Sequence, residues 1–190
     1  MCGRYYVEID NDELQEIFKE VQRNTSGTEQ LSFNMSAIEI FPTNIVPIRI
    51  SGKEYCQMQW GFSGYDGKPI INARSETADI KPTFRDPIQT RRCLIPASGY
   101  YEWQKAGKTK QKYAFTLPDK KVMYMAGCYR VEESRQLPCF VILTQPASEK
   151  LECIHPRMPV IIPQYRIGEW FDDGLEAMRY AVDELEFCTV

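Results

Sequence analysis

Histidine occurs once in this 190-residue chain, at position 155, and none of the seven cysteines forms a Cys-x-x-Cys pair. Only Cys153 lies near that histidine, so zinc-ligand spacing is missing and neither a metal nor a cofactor is expected. An excess of one charge is missing too. The 23 basic and 26 acidic residues leave a net charge of −3, so no global basicity advertises nucleic acid. No apolar run reaches the roughly 18 residues of a membrane span. Met1-Cys2-Gly3-Arg4-Tyr5 carries no apolar signal-peptide core, which predicts a cytoplasmic protein away from membranes. An odd cysteine count suits a reducing compartment, where most thiols act as small buried hydrophobes. Internal repeats and low-complexity linkers are absent as well.

What remains is an ordinary globular composition, 43% apolar and 26% charged, over a length of about one domain. Such a chain can bury roughly 70% of its unfolded surface and needs no disulfide. The pattern predicts a strand at Arg4–Glu8 and a helix at Asp10–Arg23, where Leu14, Ile17, Phe18 and Val21 share one face. Asp10 and Glu13 read as a capping box. A polar loop is expected over Asn24–Ser32. Further strands are expected at Ala37–Phe41, Ile45–Ile50, Glu54–Trp60, Arg92–Ile95, Tyr100–Gln104, Lys112–Leu117, Val122–Tyr129 and Cys139–Thr144. Hairpin turns are expected at Lys105–Lys108 and Pro118–Lys120, and a second helix near Leu175–Val182. Many short strands with few helices predict an α+β fold. The expectation is one monomeric domain over 1–190, with a curled antiparallel sheet or β-barrel-like core and a few peripheral helices.

Charge is unevenly spread. Lys81–Lys112 holds eight basic and two acidic residues, and Glu169–Glu186 holds seven acidic and one basic. Such blocks give either a basic binding face or two solvated surfaces. Cys2 is the most informative single residue. Removal of Met1 would leave a cysteine carrying a free α-amine beside its thiol. The amine titrates at about 8, well below lysine, and the thiol is a strong nucleophile as thiolate. A 1,2-aminothiol condenses with aldehydes to a thiazolidine, or serves as an amidohydrolase nucleophile with its own amine as base.

Four further segments accompany Met1-Cys2-Gly3-Arg4-Tyr5. These are Trp60-Gly61-Phe62, Ile71-Asn72-Ala73-Arg74-Ser75-Glu76-Thr77, Arg92 through Trp103 with its Tyr100-Tyr101-Glu102-Trp103 end, and His155-Pro156-Arg157-Met158-Pro159. In this order, from Cys2 to about Ile162, they resemble the SRAP family of SOS response-associated peptidases, which includes abasic-site-shielding proteins of bacteria and animals. The resemblance implies that Cys2 crosslinks to the ring-opened aldehyde of abasic sites in single-stranded DNA, with self-reversal. It implies that Asn72 holds the N-terminal amine or the sugar, that Glu102 shuttles protons, and that His155 contacts sugar and phosphate. Arg74 and Arg157 would grip phosphates with support from Arg4, and Pro42 and Tyr65 would splay or stack neighbouring bases.

The residue types suit these roles. Sugar ring opening needs a group that both gives and takes a proton, as a partly buried carboxylate can. Asn72 can orient an amine without protonating it, and Arg suits bidentate phosphate contact. Read alone, His155 could be structural, Glu102 solvent-facing, Asn72 a turn residue, and Arg74 and Arg157 members of internal ion pairs. Four positions depart from the family pattern: Pro156 follows the histidine where aspartate is common, and Glu39, Tyr65 and Ser98 stand where asparagine, tryptophan and aspartate or asparagine are frequent. Two other functions fit the chain: a cysteine peptidase or amidohydrolase using Cys2 and His155, and a non-covalent reader of single-stranded or modified DNA.

Overall fold

The computed structural model describes residues 2–8, 10–24, 37–107 and 109–190. In chain order the elements are β1 (Arg4–Glu8), α1 (Asp12–Asn24), β2 (Ala37–Ile40), β3 (Ile45–Ser51), β4 (Glu54–Trp60), β5 (Phe62–Ser63), β6 (Pro69–Ile70), β7 (Asn72–Arg74), α2 (Pro82–Thr90) and β8 (Arg92–Ala97). There follow β9 (Gly99–Ala106), β10 (Thr109–Thr116), β11 (Met123–Arg130), β12 (Cys139–Pro146), α3 (Glu149–Glu152), β13 (Arg157–Pro159), α4 (Ile167–Asp172), α5 (Gly174–Ala177) and β14 (Glu186–Thr189).

Two sheets carry the fold. The first runs β14-β10-β9-β1-β2. The second runs β11-β8-β3-β4-β12, and β12 pairs back onto β11, so these strands close into a small barrel. Closure leaves those strands no long free edge. Most pairings are antiparallel, but β12 lies parallel to both β4 and β7. The barrel interior is aliphatic and aromatic, with Ile48, Met58, Trp60, Ile95, Met125, Phe140 and Ile142 fully buried. The architecture is the expected α+β, with helices at the periphery.

The tightest change of sheet falls at one corner. β8 belongs to the barrel and β9 to the other sheet, with only Ser98 between them. The Ser98 hydroxyl accepts the Glu8 N–H at 2.7 Å, and the Ser98 N–H donates to the Tyr6 carbonyl at 2.9 Å. A side chain at Gly99 would collide with the Phe115 carbonyl and the Tyr6 ring, so the corner needs glycine.

Helix α1 buries Leu14, Ile17, Phe18 and Val21, the face its periodicity predicts. It starts two residues later than expected. Asn11 caps it, its Oδ1 accepting the Leu14 N–H at 3.1 Å, so Asp10 lies outside the helix. Beyond Asn24, the expected loop to Ser32 lies outside the described residues. Helix α2 was not expected because two prolines interrupt its pattern. Pro82 sits in the first turn, where an N–H has no helical partner anyway, while Pro87 forfeits one bond but is buried with Phe84 and Ile88. Pro118–Lys120 is not a hairpin turn: β10 and β11 lie in different sheets, so this single 3-10 turn carries a crossover. The second expected helix splits into α5 and a 3-10 turn ending at Tyr180. Val182 instead donates its N–H to the Ile161 carbonyl at 2.9 Å. Among the described residues, no helix is long and apolar enough to cross a membrane.

Candidate active site

Strand β12 gathers the site. β7 lies beside it with Asn72 opposite Ile142 and Arg74 opposite Thr144. β13 pairs with the same end of β12, Arg157 opposite Pro146. The buried Trp60 indole donates to the Ile71 carbonyl at 3.0 Å, fixing the backbone just before Asn72. Asn72 then donates from Nδ2 to the Cys2 carbonyl at 2.9 Å. This bond ties the start of the chain to a position seventy residues away.

Cys2 is fully buried, its thiol 3.8 Å from the Arg4 carbonyl. Burial pushes the thiol well above its ordinary titration range, and the Glu102 carboxylate opposes thiolate in the same direction. Glu102 lies one residue beyond the pairing of Tyr101 with Arg4, where β9 outruns β1. It is 5% exposed, with Oε1 3.8 Å from His155 Nδ1. The short helix α3 delivers His155, whose N–H donates to the Leu151 carbonyl at 3.2 Å. Its Nδ1 accepts the Arg157 N–H at 3.1 Å and lies 3.0 Å from the Arg157 carbonyl. The same nitrogen is therefore an acceptor when bare and a donor when protonated. A cleft of about 450 Å³ opens over these groups, lined by Gly3, Arg4, Glu102, Trp103, Lys105, Lys110 and His155.

The other expected residues divide. Arg74 is exposed, and among the described residues its guanidinium has no ion-pair partner. Arg157 is engaged within the chain: its two terminal nitrogens pair with both Glu76 oxygens, one at 2.8 Å, and it also reaches the Thr144 carbonyl. Hydrogen bonds from Arg157 outweigh burial and hold the Glu76 carboxyl down at about 2. Arg4 pairs with Glu39 at 3.1 Å and lies over the Phe41 ring at 4.2 Å. Pro42 sits in the turn between β2 and β3, whose Asn44 N–H donates to the Phe41 carbonyl at 3.1 Å. Tyr65 is fully exposed in the loop between β5 and β6. Among the described residues no group of three or more His, Cys, Asp or Glu side chains could hold a metal ion.

Residues 1–187 match the family described as SOS response associated peptidase (SRAP). The chain belongs to the SRAP family. It is 32% identical to the abasic site processing protein YoqW of Bacillus subtilis, the match covering 98% of this chain and 90% of that protein. It is 28% identical to the abasic site processing protein HMCES of Gallus gallus, across 81% of this chain and 49% of the relative. A crystal structure of a Bordetella bronchiseptica protein shares the fold, with a TM-score of 0.76 at 20% identity, covering 100% of this chain and 99% of that one.

This SRAP chain has cleft residues that the sequence reading did not single out. Lys105 and Lys110 line the cleft and face each other across the β9–β10 hairpin, and Trp103 lies opposite Lys112. Their spacing of two along each strand was the available signal, because alternate residues share a face. Glu39 and Glu76 were also unassigned. Each binds an arginine from a distant segment, which no local pattern reveals.

Proposed function

We propose that this protein captures abasic sites in single-stranded DNA covalently through Cys2, as part of a DNA damage response. The observation that carries the reading is Cys2 tied by Asn72 beneath a cleft that holds the Glu102–His155 pair. The relatives named abasic site processing proteins support it.

With Met1 removed, the α-amine of Cys2 adds to the C1′ aldehyde of the ring-opened sugar. Loss of one water gives an imine. The thiol then adds to the imine carbon, its proton ending on nitrogen, and a thiazolidine closes. A thiol held neutral by burial suits this order, since it adds last and gives up its proton as it bonds. Glu102 relays the proton between the sugar hydroxyl and ring oxygen during opening, and returns one to sulfur on reversal. His155 stands next to it as the second proton carrier and sugar contact. Arg74 contacts a backbone phosphate, Arg4 supports the strand at the cleft mouth, and Pro42 and Tyr65 meet the flanking bases. Arg157 acts in this scheme by bracing His155 and Thr144.

The test is incubation with an abasic single-stranded oligonucleotide, read by denaturing gel and intact mass. A heat-stable adduct one water lighter than the sum of its parts is expected. Cys2→Ala should form none, and Glu102→Gln should slow formation and reversal by about 10²–10⁴. A heat-stable adduct in Cys2→Ala overturns the assignment.

A further inference from the structure

One carboxylate stands among the cations at the cleft mouth. Glu39 Oε1 accepts Arg4 Nη1 and Lys112 Nζ, each at 3.1 Å. All three side chains are partly buried, Arg4 being 38% exposed, Lys112 22% and Glu39 29%. The two cations rest on aromatic faces. Arg4 lies 5.3 Å from the Trp103 ring centre, and Lys112 lies 5.7 Å from the same ring and 3.6 Å from Tyr101. Lys105 and Lys110 continue the row along the hairpin. A surface of cations resting on aromatic rings is what single-stranded nucleic acid uses to bind without regard to sequence.

We propose that Glu39 is the selectivity residue of this surface, an internal counter-ion that weakens its grip on undamaged strands. The proposal rests on the reading of the cleft as a site for abasic single strands. A phosphodiester approaching Arg4 or Lys112 must first displace the carboxylate both already share. Each phosphate then gains less than it would from a free cation, and fewer bound counter-ions are released. Lys105 and Lys110 still attract the strand, but weakly enough for it to leave. Retention then depends on the bond to Cys2, which only an aldehyde-bearing strand can form. Glu39 thereby converts a general single-strand surface into one that keeps damaged strands.

The experiment measures binding of undamaged oligo-dT by fluorescence anisotropy at several salt concentrations, for wild type, Glu39→Gln, Lys112→Gln and the double variant. Glu39→Gln should tighten binding about three- to tenfold near 0.1 M salt, the scale of breaking one or two partly exposed ion pairs. Its plot of log affinity against log salt should steepen by about 0.7 for each phosphate newly held. The gain should shrink in the double variant, because Lys112 is one of the cations set free. Undamaged competitor should also inhibit adduct formation more strongly in Glu39→Gln than in wild type. A folded Glu39→Gln with unchanged or weaker affinity and an unchanged slope overturns the proposal, as does absence of oligo-dT binding by every variant at low salt. If Glu39→Gln does not fold, Glu39→Thr, a residue suited to a strand, takes its place with the same expected outcome. The covalent reading fails separately: tighter oligo-dT binding without any heat-stable adduct removes the Cys2 chemistry and leaves Glu39's role standing.

Discussion

Removing the Glu76 carboxylate should destabilise the protein at neutral pH and have little effect near pH 2. Arg157 holds this carboxylate with both ends of its guanidinium, and hydrogen bonds from Arg157 keep the carboxyl at about 2, against an ordinary value of 4.5. The folded-state value is depressed, so the stabilisation is fully present above about 4.5 and is lost as pH falls towards about 2. A fully shielded carboxyl shifted this far would contribute roughly 3 kcal/mol. The Glu76 side chain is 44% exposed, and solvent screening reduces the expected contribution to about 1 kcal/mol. For a chain of this length that corresponds to about 2–4 °C in melting temperature. Thermal melts of wild type and Glu76→Gln, at intervals from pH 7 to pH 2, measure it directly. The difference should be largest at pH 7 and shrink steadily below pH 4.5. Arg157→Lys should lose most of the same stability, because a single ammonium cannot replace the two-pronged contact and the bond to the Thr144 carbonyl. Glu76→Gln melting with wild type at pH 7, or a difference persisting undiminished at pH 2, would refute this account. Arg157 would then be available to a ligand, not committed to the fold.

Arg74 offers the contrasting case. Exposed and without an internal ion-pair partner among the described residues, it should be dispensable for folding. Arg74→Ala should keep the wild-type melting temperature within about 1–2 °C, the scale of an ordinary surface substitution. Its single-strand binding should weaken, with the salt slope falling by about 0.7; an unaltered slope would remove Arg74 from the strand path. Thr43 stands at the third position of the turn after Pro42 with φ +75°, a conformation costly for a β-branched residue. Thr43→Gly should raise stability by about 1 kcal/mol in urea melts. A loss of stability would mean that contacts of the threonine side chain outweigh its backbone strain.

The strands from Ala37 to Trp60 and from Arg92 to Pro146 were legible from the chain because their determinant is local: alternating or continuous apolar residues bounded by turn formers. Cys2, Asn72, Glu102 and His155 stood out as candidates for another reason. Each sits in a multi-residue segment shared with the SRAP family, so type and order sufficed to nominate them. Helix α2 was hidden because propensity penalises Pro82 and Pro87 wherever they fall, whereas the first helical turn and a buried face absorb them. The Pro118–Lys120 turn looked like a hairpin because turn chemistry says nothing about which sheet the next strand joins. The arginines show the same limit most clearly. Arg74 and Arg157 are the same side chain in two of the family segments, and nothing local distinguishes their fates. Only the pairing of β7 and β13 onto one end of β12 brings Glu76 against Arg157 and leaves Arg74 facing solvent. Likewise Glu39 meets Arg4 and Lys112 across β2, β1 and β10, three strands far apart in sequence. The charge state of a binding surface depends on distances of a few ångströms, and those distances belong to the fold.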